Sequence, residues 1–542
     1  MLATMMHMPI TTQLIMRHGA TIHSGSTIST FDGEALAAAS FADVAERAAR
    51  LAAALQGLGI QQGERVATLC WNHQPHLEAY LAVPSMGAVL HTLNLRLFAD
   101  QLCYIMNDAA DAALIVDASL LPLVQDLLSS VASLRCVIIV GETDIAPAFG
   151  GSVHSYETLV AAHDPLAEWP ELDEMAAAAA CYTSGTTGNP KGVVYSHRTV
   201  FLHSLASLGA DTFAISQSDR ILLLPPMFHA NAWGLPFSGW LAGADLVLPG
   251  PHLQPPKVRT MIEQTRPTFT ATVPTLVGDL LRAHQEQPLD MSSFRTIVVG
   301  GSAVSKTMIE DVRDTWGVPV LQGWGMTETS PLCALSHPPR GTPVDEETHW
   351  RMASGRPVPG VEVRIVDDHG GILARDGKTV GALELRGPWI AGGYYGLSNA
   401  DVVSADGWLR TGDVGTIDEK GYVRITDRQK DLIKSGGEWI SSIELENLLN
   451  AHPGIAAAAV VAIPDPRWEE RPLAIVVHKG PPVPVSELRS HLAGHVAKFW
   501  IPEYWASVET LPLTGVGKVD KKVLRDQVAS GRHDVTYDIS FM

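Results

Sequence analysis

Apolar positions divide the chain into recurring units. From Ser40 to Ile60 they fall at Val44, Ala48, Leu51, Leu55 and Leu58, with Asp43, Glu46, Arg47 and Arg50 between them. That spacing predicts an amphipathic helix, and Ser40 with Asp43 three residues on forms a capping pair for its start. Short apolar runs then recur at Arg65–Leu69, Ala113–Val116, Cys136–Val140, Ile221–Leu224, Leu246–Leu248, Phe269–Val273 and Ile297–Val299. Such runs read as buried strands. Helical patterns such as Pro255–Glu263 and Lys306–Trp316 separate them, which predicts crossover connections and mainly parallel sheets flanked by helices.

The texture then changes twice. Between Gly360 and Gly421, Gly and Asp punctuate short alternating runs at Val361–Val366 and Ala382–Arg386, so a smaller, mainly β region is expected. Past Asp431, Ser441 and Glu444 cap a helix carrying Ile443, Leu448 and Leu449; strands Ala457–Ile463 and Leu473–His478 and a helix Ser486–Val496 follow. This is the pattern of a compact α+β module of roughly a hundred residues. The expected fold class is therefore α/β multidomain: a large N-terminal domain over 1–427, a charged hinge over 428–434 and a small C-terminal domain over 435–542. The only low-complexity stretch is Ala176–Ala180.

Composition narrows the function. With 542 residues, 46% hydrophobic and 18% charged, the chain has ordinary globular character and is not disordered. A net charge of −19 without a long Lys/Arg run argues against nucleic acid as a partner. Cys70, Cys103, Cys136, Cys181 and Cys333 are odd in number and widely spaced, with no C-x-x-C pair. Buried free thiols in a reducing compartment are expected, rather than a disulfide framework or a zinc knuckle. Met1–Arg17 has no basic stretch ahead of an apolar core, and no apolar run approaches the roughly 18 residues of a membrane span. A soluble, cytoplasmic protein is expected.

The strongest local signal is Tyr182-Thr-Ser-Gly-Thr-Thr-Gly-Asn-Pro-Lys-Gly192. Gly185 and Gly188 let backbone N–H groups approach phosphate oxygens, Ser184, Thr186 and Thr187 add hydroxyls, and Lys191 supplies a positive charge. The G-x-x-x-x-G-K-[ST] spacing of a P-loop is absent. This segment resembles the phosphate-binding signature of the adenylate-forming superfamily of acyl-CoA synthetases, luciferases and peptide-synthetase adenylation domains. Further blocks match in that family's order: Gly300-Gly-Ser-Ala303, Gln322-Gly-Trp-Gly-Met-Thr-Glu-Thr-Ser330, Trp408-Leu-Arg-Thr-Gly-Asp413, Asp427 to Glu438 and Gly515-Val-Gly-Lys518. They span essentially the whole chain.

The resemblance implies an ATP site built from Thr183, Ser184, Gly185, Thr186, Thr187, Gly188 and Lys191, with Gly301, Ser302, Ala303, Gln322, Gly323, Trp324, Gly325 and Thr327. Trp324 offers a flat face for adenine, and Asp413 has the acceptor pair for a ribose diol, a task in which Arg428 is expected to help from the domain border. Glu328 beside Thr327 is a lone carboxylate suited to magnesium near phosphates, and the resemblance adds Ser184 as a second ligand. Lys518 is assigned to neutralising charge during acyl transfer to AMP by its place after Gly517, with Lys521 as the alternative. His229, in Phe228-His-Ala-Asn-Ala-Trp233, is assigned to orienting the acyl carboxylate, and Trp233 to gating the acyl tunnel; Val273, Thr275 and Val299 line that tunnel by family position.

Two half-reactions follow from the resemblance. An acid attacks ATP to give an acyl-adenylate, and the thiol of coenzyme A then attacks the activated carbonyl. Lys430 occupies the family's hinge position, about which the C-terminal module would turn. Lys434, Ser435, Gly436, Gly437 and Trp439 are then assigned to pantetheine, coenzyme A or nucleotide. The blocks most resemble bacterial medium- and long-chain fatty acyl-CoA synthetases, so a fatty acid is the expected substrate. A short sulfur-containing acid such as methylthiopropionate is the alternative. A ligase loading a carrier protein, a luciferase-like oxygenase and a non-enzymatic nucleotide scaffold are the rivals, and no carrier domain precedes Met542. Met5–Ile15 resembles the arm through which related synthetases form homodimers.

Overall fold

The computed structural model describes residues 4–537 apart from 146, 184–188, 400–401, 430, 436–437, 514–518 and 534–535. The helix expected after Ser40 runs Phe41–Gly57, and the Ser40 hydroxyl accepts the Asp43 N–H at 3.1 Å, completing the capping box. The buried runs become strands in two large sheets. In the seven-stranded sheet the strands Ser152–Ser155, Cys136–Val140, Asp111–Asp117, Arg65–Leu69, Val89–Thr92 and Ala177–Tyr182 lie parallel, closed by antiparallel Gly192–Ser196. The nine-stranded sheet has a parallel centre, from Val320–Gly325 through Thr296–Gly300, Phe269–Thr272, Arg220–Leu222 and Asp245–Leu248 to Thr27–Phe31, with antiparallel strands at both edges.

One apolar core joins these sheets. Ile28, Ile221 and Leu246 of the nine-stranded sheet, Val66, Leu90 and Ala113 of the seven-stranded sheet, and Val363, Leu383 and Ile417 of a four-stranded antiparallel sheet belong to one buried cluster. Helices Phe41–Gly57, Gln74–Ser85 and Leu235–Ala242 contribute Leu51, Tyr80 and Trp240 to the same cluster. The outer faces carry separate cores, as parallel sheets covered by helices on both sides require. The alanine run read as low complexity is strand Ala177–Tyr182: Ala178 and Ala179 are buried between sheet neighbours, so small size rather than apolar bulk marks this strand.

The C-terminal α+β module is a six-stranded sheet with its own apolar cores on its two faces. Its helix Ser442–Asn450 begins under the Ser441 cap expected from the sequence, whose hydroxyl accepts the Glu444 N–H at 3.1 Å. The module meets the rest of the chain at strand Val423–Arg428: the Ser442 N–H and hydroxyl both donate to the buried Asp427 carboxylate at 2.6 Å.

Gly355 joins the nine-stranded sheet to the four-stranded one through its backbone bridge to Val423, whose N–H donates to Gly355 O at 2.9 Å. Its φ is +104°, and a Cβ there would lie 2.1 Å from the Leu335 carbonyl carbon. Gly355→Ala is therefore expected to destabilise the N-terminal region by about 1–3 kcal/mol, read as a lower midpoint in chemical unfolding followed by tryptophan fluorescence.

Candidate functional site

In open parallel sheets, ligands collect at the carboxyl ends of the strands. Residues 183–191 follow strand Ala177–Tyr182, residues 301–303 follow Thr296–Gly300, and residues 326–331 follow Val320–Gly325. The first of these loops is closed at its base, because the Thr183 N–H donates to Lys191 O at 2.9 Å and Tyr182 pairs with Gly192. Gly192 is required there: a Cβ would fall 2.9 Å from the Tyr182 ring. The Tyr182 hydroxyl donates to Asp108 at 2.6 Å, and burial together with that carboxylate pushes the phenol above its ordinary range.

Trp324, Asp413 and Arg428, distant in sequence, meet. The Trp324 indole N–H donates to Asp413 Oδ2 at 2.9 Å, and Arg428 Nε lies 2.7 Å from Asp413 Oδ1. Asp413 is 3% exposed. Each carboxylate oxygen keeps a free lone pair after these contacts, so the group can still accept from a neighbouring diol. Gln322 is buried with its amide engaged by the protein: Oε1 accepts the Val304 N–H at 2.8 Å and Nε2 donates to Ala353 O at 3.2 Å. This pins the exposed Gly301-Ser302-Ala303 turn to the strand that carries Gly323, Trp324 and Gly325.

Glu328 sits in the short 3-10 turn Thr327–Thr329 and is 6% exposed. Among the described residues no cationic side chain pairs with it. Its Oε1 accepts the hydroxyl of Tyr394, whose ring lies under Lys191 with Nζ 5.0 Å from the centroid. The Thr327 carbonyl accepts the Tyr195 hydroxyl at 2.8 Å. Neither tyrosine was singled out in the sequence. Gly392-Gly-Tyr-Tyr395 is the signal that marks the first, an aromatic pair inside a Gly-rich connection.

The aromatic–histidine block forms an uncommon left-handed turn. Ala230, Asn231, Ala232 and Trp233 have φ of 44°, 53°, 49° and 60°, a conformation costing roughly 1–2 kcal/mol per residue. Asn231, which tolerates it best, accepts the Tyr80 hydroxyl at 3.3 Å and the Cys181 thiol at 3.5 Å. The turn sets Trp233 against Gly300, where a Cβ would be 3.1 Å from the indole. His229 is half-buried at the start of the turn. Val299 is fully buried with Val277 and Ile297, Val273 is half-buried at the start of helix Pro274–Glu286, and Thr275 is exposed in its first turn.

Cys70, His73 and Asp117 also lie together at strand ends. His73 Nδ1 accepts the His76 N–H at 3.1 Å, leaving Nε2 to donate to Asp117 at 2.8 Å. One ring nitrogen thus caps helix Gln74–Ser85 and the other is held by Asp117, and burial pushes the Cys70 thiol up, keeping it protonated.

Of the two lysines left open, Lys521 lies among the described residues. Lys521 is held 2.8 Å from Glu446 and 2.6 Å from the Ser442 hydroxyl, with its side chain 13% exposed. These partners seat the Lys521 ammonium within the C-terminal module, against helix Ser442–Asn450. Lys518 lies outside the described residues, as do Ser184, Gly185, Thr186, Thr187, Gly188, Lys430, Gly436, Gly437 and the side chain of Trp439. Lys434 is exposed and 3.9 Å from Glu469, and the Ser435 hydroxyl accepts from Arg471 at 2.9 Å.

The family model for AMP-binding enzymes matches residues 21–395, and that for their C-terminal domain matches 444–518. The chain is 42% identical over 533 residues to a 3-methylmercaptopropionyl-CoA ligase of Ruegeria pomeroyi, covering 97% of this chain and 99% of the relative. It is 45% identical over 495 residues to a long-chain-fatty-acid–CoA ligase of Thermus thermophilus, covering 90% of each. The structure of an anthranilate CoA ligase in complex with anthranoyl-AMP superposes with a TM-score of 0.87 at 25% identity, covering 98% of this chain and 100% of that one.

Lys521→Met leaves the Glu446 and Asp427 carboxylates buried without their cation, and is expected to destabilise the C-terminal module by about 3–5 kcal/mol. Limited proteolysis should then cut preferentially after residue 428. Burial pulls the Lys521 ammonium down, but Glu446 and Asp427 outweigh it and hold the group above its ordinary value of 10.5. Its stabilisation is therefore complete below that pH and lost as the pH rises through the higher folded value.

Proposed function

The chain belongs to the AMP-binding enzyme family, and on that premise we propose that it ligates an aliphatic carboxylic acid to coenzyme A, using ATP. A carboxylate oxygen of the acid attacks the α-phosphorus, and the bond from that phosphorus to pyrophosphate breaks. The thiol of coenzyme A, losing its proton, then attacks the acyl carbon, and the C–O bond to AMP breaks. The observation that carries the reading is the buried Asp413 carboxylate, braced by Trp324 and Arg428 and still able to accept a ribose diol.

Adenine stacks beside Trp324, and the phosphates lie along residues 183–188 and Lys191. Glu328 fits magnesium, being a buried carboxylate with no cationic partner among the described residues. Ser184 would be its second protein ligand, and the ion held there would neutralise charge developing on the phosphates. Lys518 addresses the α-phosphate and acyl carboxylate in the first step, and His229 orients that carboxylate. Turning about Lys430 then brings Lys434, Ser435, Gly436, Gly437 and Trp439 to coenzyme A. The domains divide at 427 and 435.

The acid is a medium- to long-chain fatty acid. A second reading, a short sulfur-containing acid, is favoured by the Ruegeria relative. Among the described residues no helix is long and apolar enough to cross a membrane. A cytoplasmic enzyme suits ATP and coenzyme A as substrates. Exposed Met5, Met6 and Met8 support a homodimer through the N-terminal arm, for which light scattering should give twice 58.2 kDa.

Acid-dependent pyrophosphate release, followed with and without coenzyme A over four- to sixteen-carbon acids and 3-methylthiopropionate, tests the reading. The expected result is thioester formation with one chain-length class; pyrophosphate release that never yields a thioester would sink it. Asp413→Asn replaces an acceptor by a donor facing Arg428, and should weaken AMP binding by about tenfold or more in calorimetry.

A further inference from the structure

Tyr394 belongs to the connection that leaves strand Gly381–Arg386 and is tied to both halves of the phosphate site. The Ala391 N–H donates to the Glu328 carbonyl at 2.8 Å, and the Tyr395 N–H donates to the Gly192 carbonyl at 2.8 Å. The connection is anchored further back, where Ser330 donates to Trp389 O at 2.8 Å and the Trp389 indole to Leu332 O at 3.0 Å. Between these anchors the half-buried Tyr394 side chain has two partners of opposite charge. Its hydroxyl donates to Glu328 Oε1, and its ring face lies 5.0 Å from the Lys191 ammonium.

Those two contacts are chemically distinct. A phenol donating to a carboxylate fixes which oxygen remains open and where it points, the device by which outer partners orient metal ligands. A ring face attracts an ammonium and steadies it without a hydrogen bond, so all three N–H groups of Lys191 stay available for phosphate oxygens. The phenol is protonated at neutral pH, and so is a donor.

We propose that Tyr394 is a positioning residue for the metal–nucleotide complex. Its hydroxyl turns the open oxygen of Glu328 toward a divalent cation, and its ring aims Lys191 at the same phosphate chain. This rests on the reading of the site as one for magnesium and ATP. The connection between strand Gly381–Arg386 and the cleft thereby becomes part of the binding machinery rather than a covering loop.

The two roles are separable, because phenylalanine keeps the ring and removes the donor, whereas leucine removes both. The full-length protein is titrated with Mn²⁺ by electron paramagnetic resonance in the presence of a non-hydrolysable ATP analogue, and binding of the metal-free analogue is measured by calorimetry. Tyr394→Phe should weaken Mn²⁺ binding about tenfold while leaving metal-free analogue affinity unchanged; Tyr394→Leu should weaken both. Wild-type Mn²⁺ affinity in Tyr394→Phe would overturn the proposal, as would a loss of metal-free analogue binding in that variant, which marks a merely structural role. Failure of the wild-type protein to bind Mn²⁺ with the analogue would instead remove the underlying reading.

Discussion

A single buried carboxylate holds the parts of this molecule in register. Asp413 takes the indole N–H of Trp324 from the nine-stranded sheet on one oxygen and the guanidinium of Arg428 on the other. Arg428 is the last residue of the strand leading to the C-terminal module. A carboxylate 3% exposed is tolerable only when charged or polar donors pair with it. The constraint therefore runs both ways: the sheets must meet for the charge to be buried, and the charge fixes how they meet. Gly355, with no room for a Cβ beside Leu335, carries the backbone bridge to Val423 that links the two sheets.

The same logic recurs where the C-terminal module begins. Asp427, one residue before Arg428, accepts both the N–H and the hydroxyl of Ser442, and Lys521 and Glu446 lie beside it. Adjacent residues of one strand thus face opposite tasks, one bracing the proposed ribose site and the other seating the first helix of the module. In the mechanism proposed above, a turn of the module would begin next to this contact. Arg525, 2.6 Å from Asp431, gives the connecting segment a second attachment.

Much of the architecture was legible because burial on both faces leaves a plain mark. Cys136–Val140 and Lys306–Trp316 appear with the bounds read from the apolar pattern, and both serine caps form as their spacing required. The hairpin Thr27–Ser40 and the strand Ala177–Tyr182 escaped that reading. The first mixes polar residues at a sheet edge, and the second is built from alanines that fit only because neighbouring strands press close. Lys521, read in the sequence as the continuation of a polar loop, instead opens helix Lys521–Ala529 and is buried against Glu446.

The sequence alone determined the kind of chemistry: a Gly- and hydroxyl-rich loop ending in Lys191, a lone glutamate at 328 and an aspartate at 413 are local features, legible from residue type and spacing. Only the tertiary structure decided which groups touch. Tyr394 reaches Glu328 across 66 residues and Asp413 reaches Trp324 across 89. Neither pair has a periodicity to betray it, because such contacts are set by how sheets pack and not by the spacing of side chains along one strand or helix.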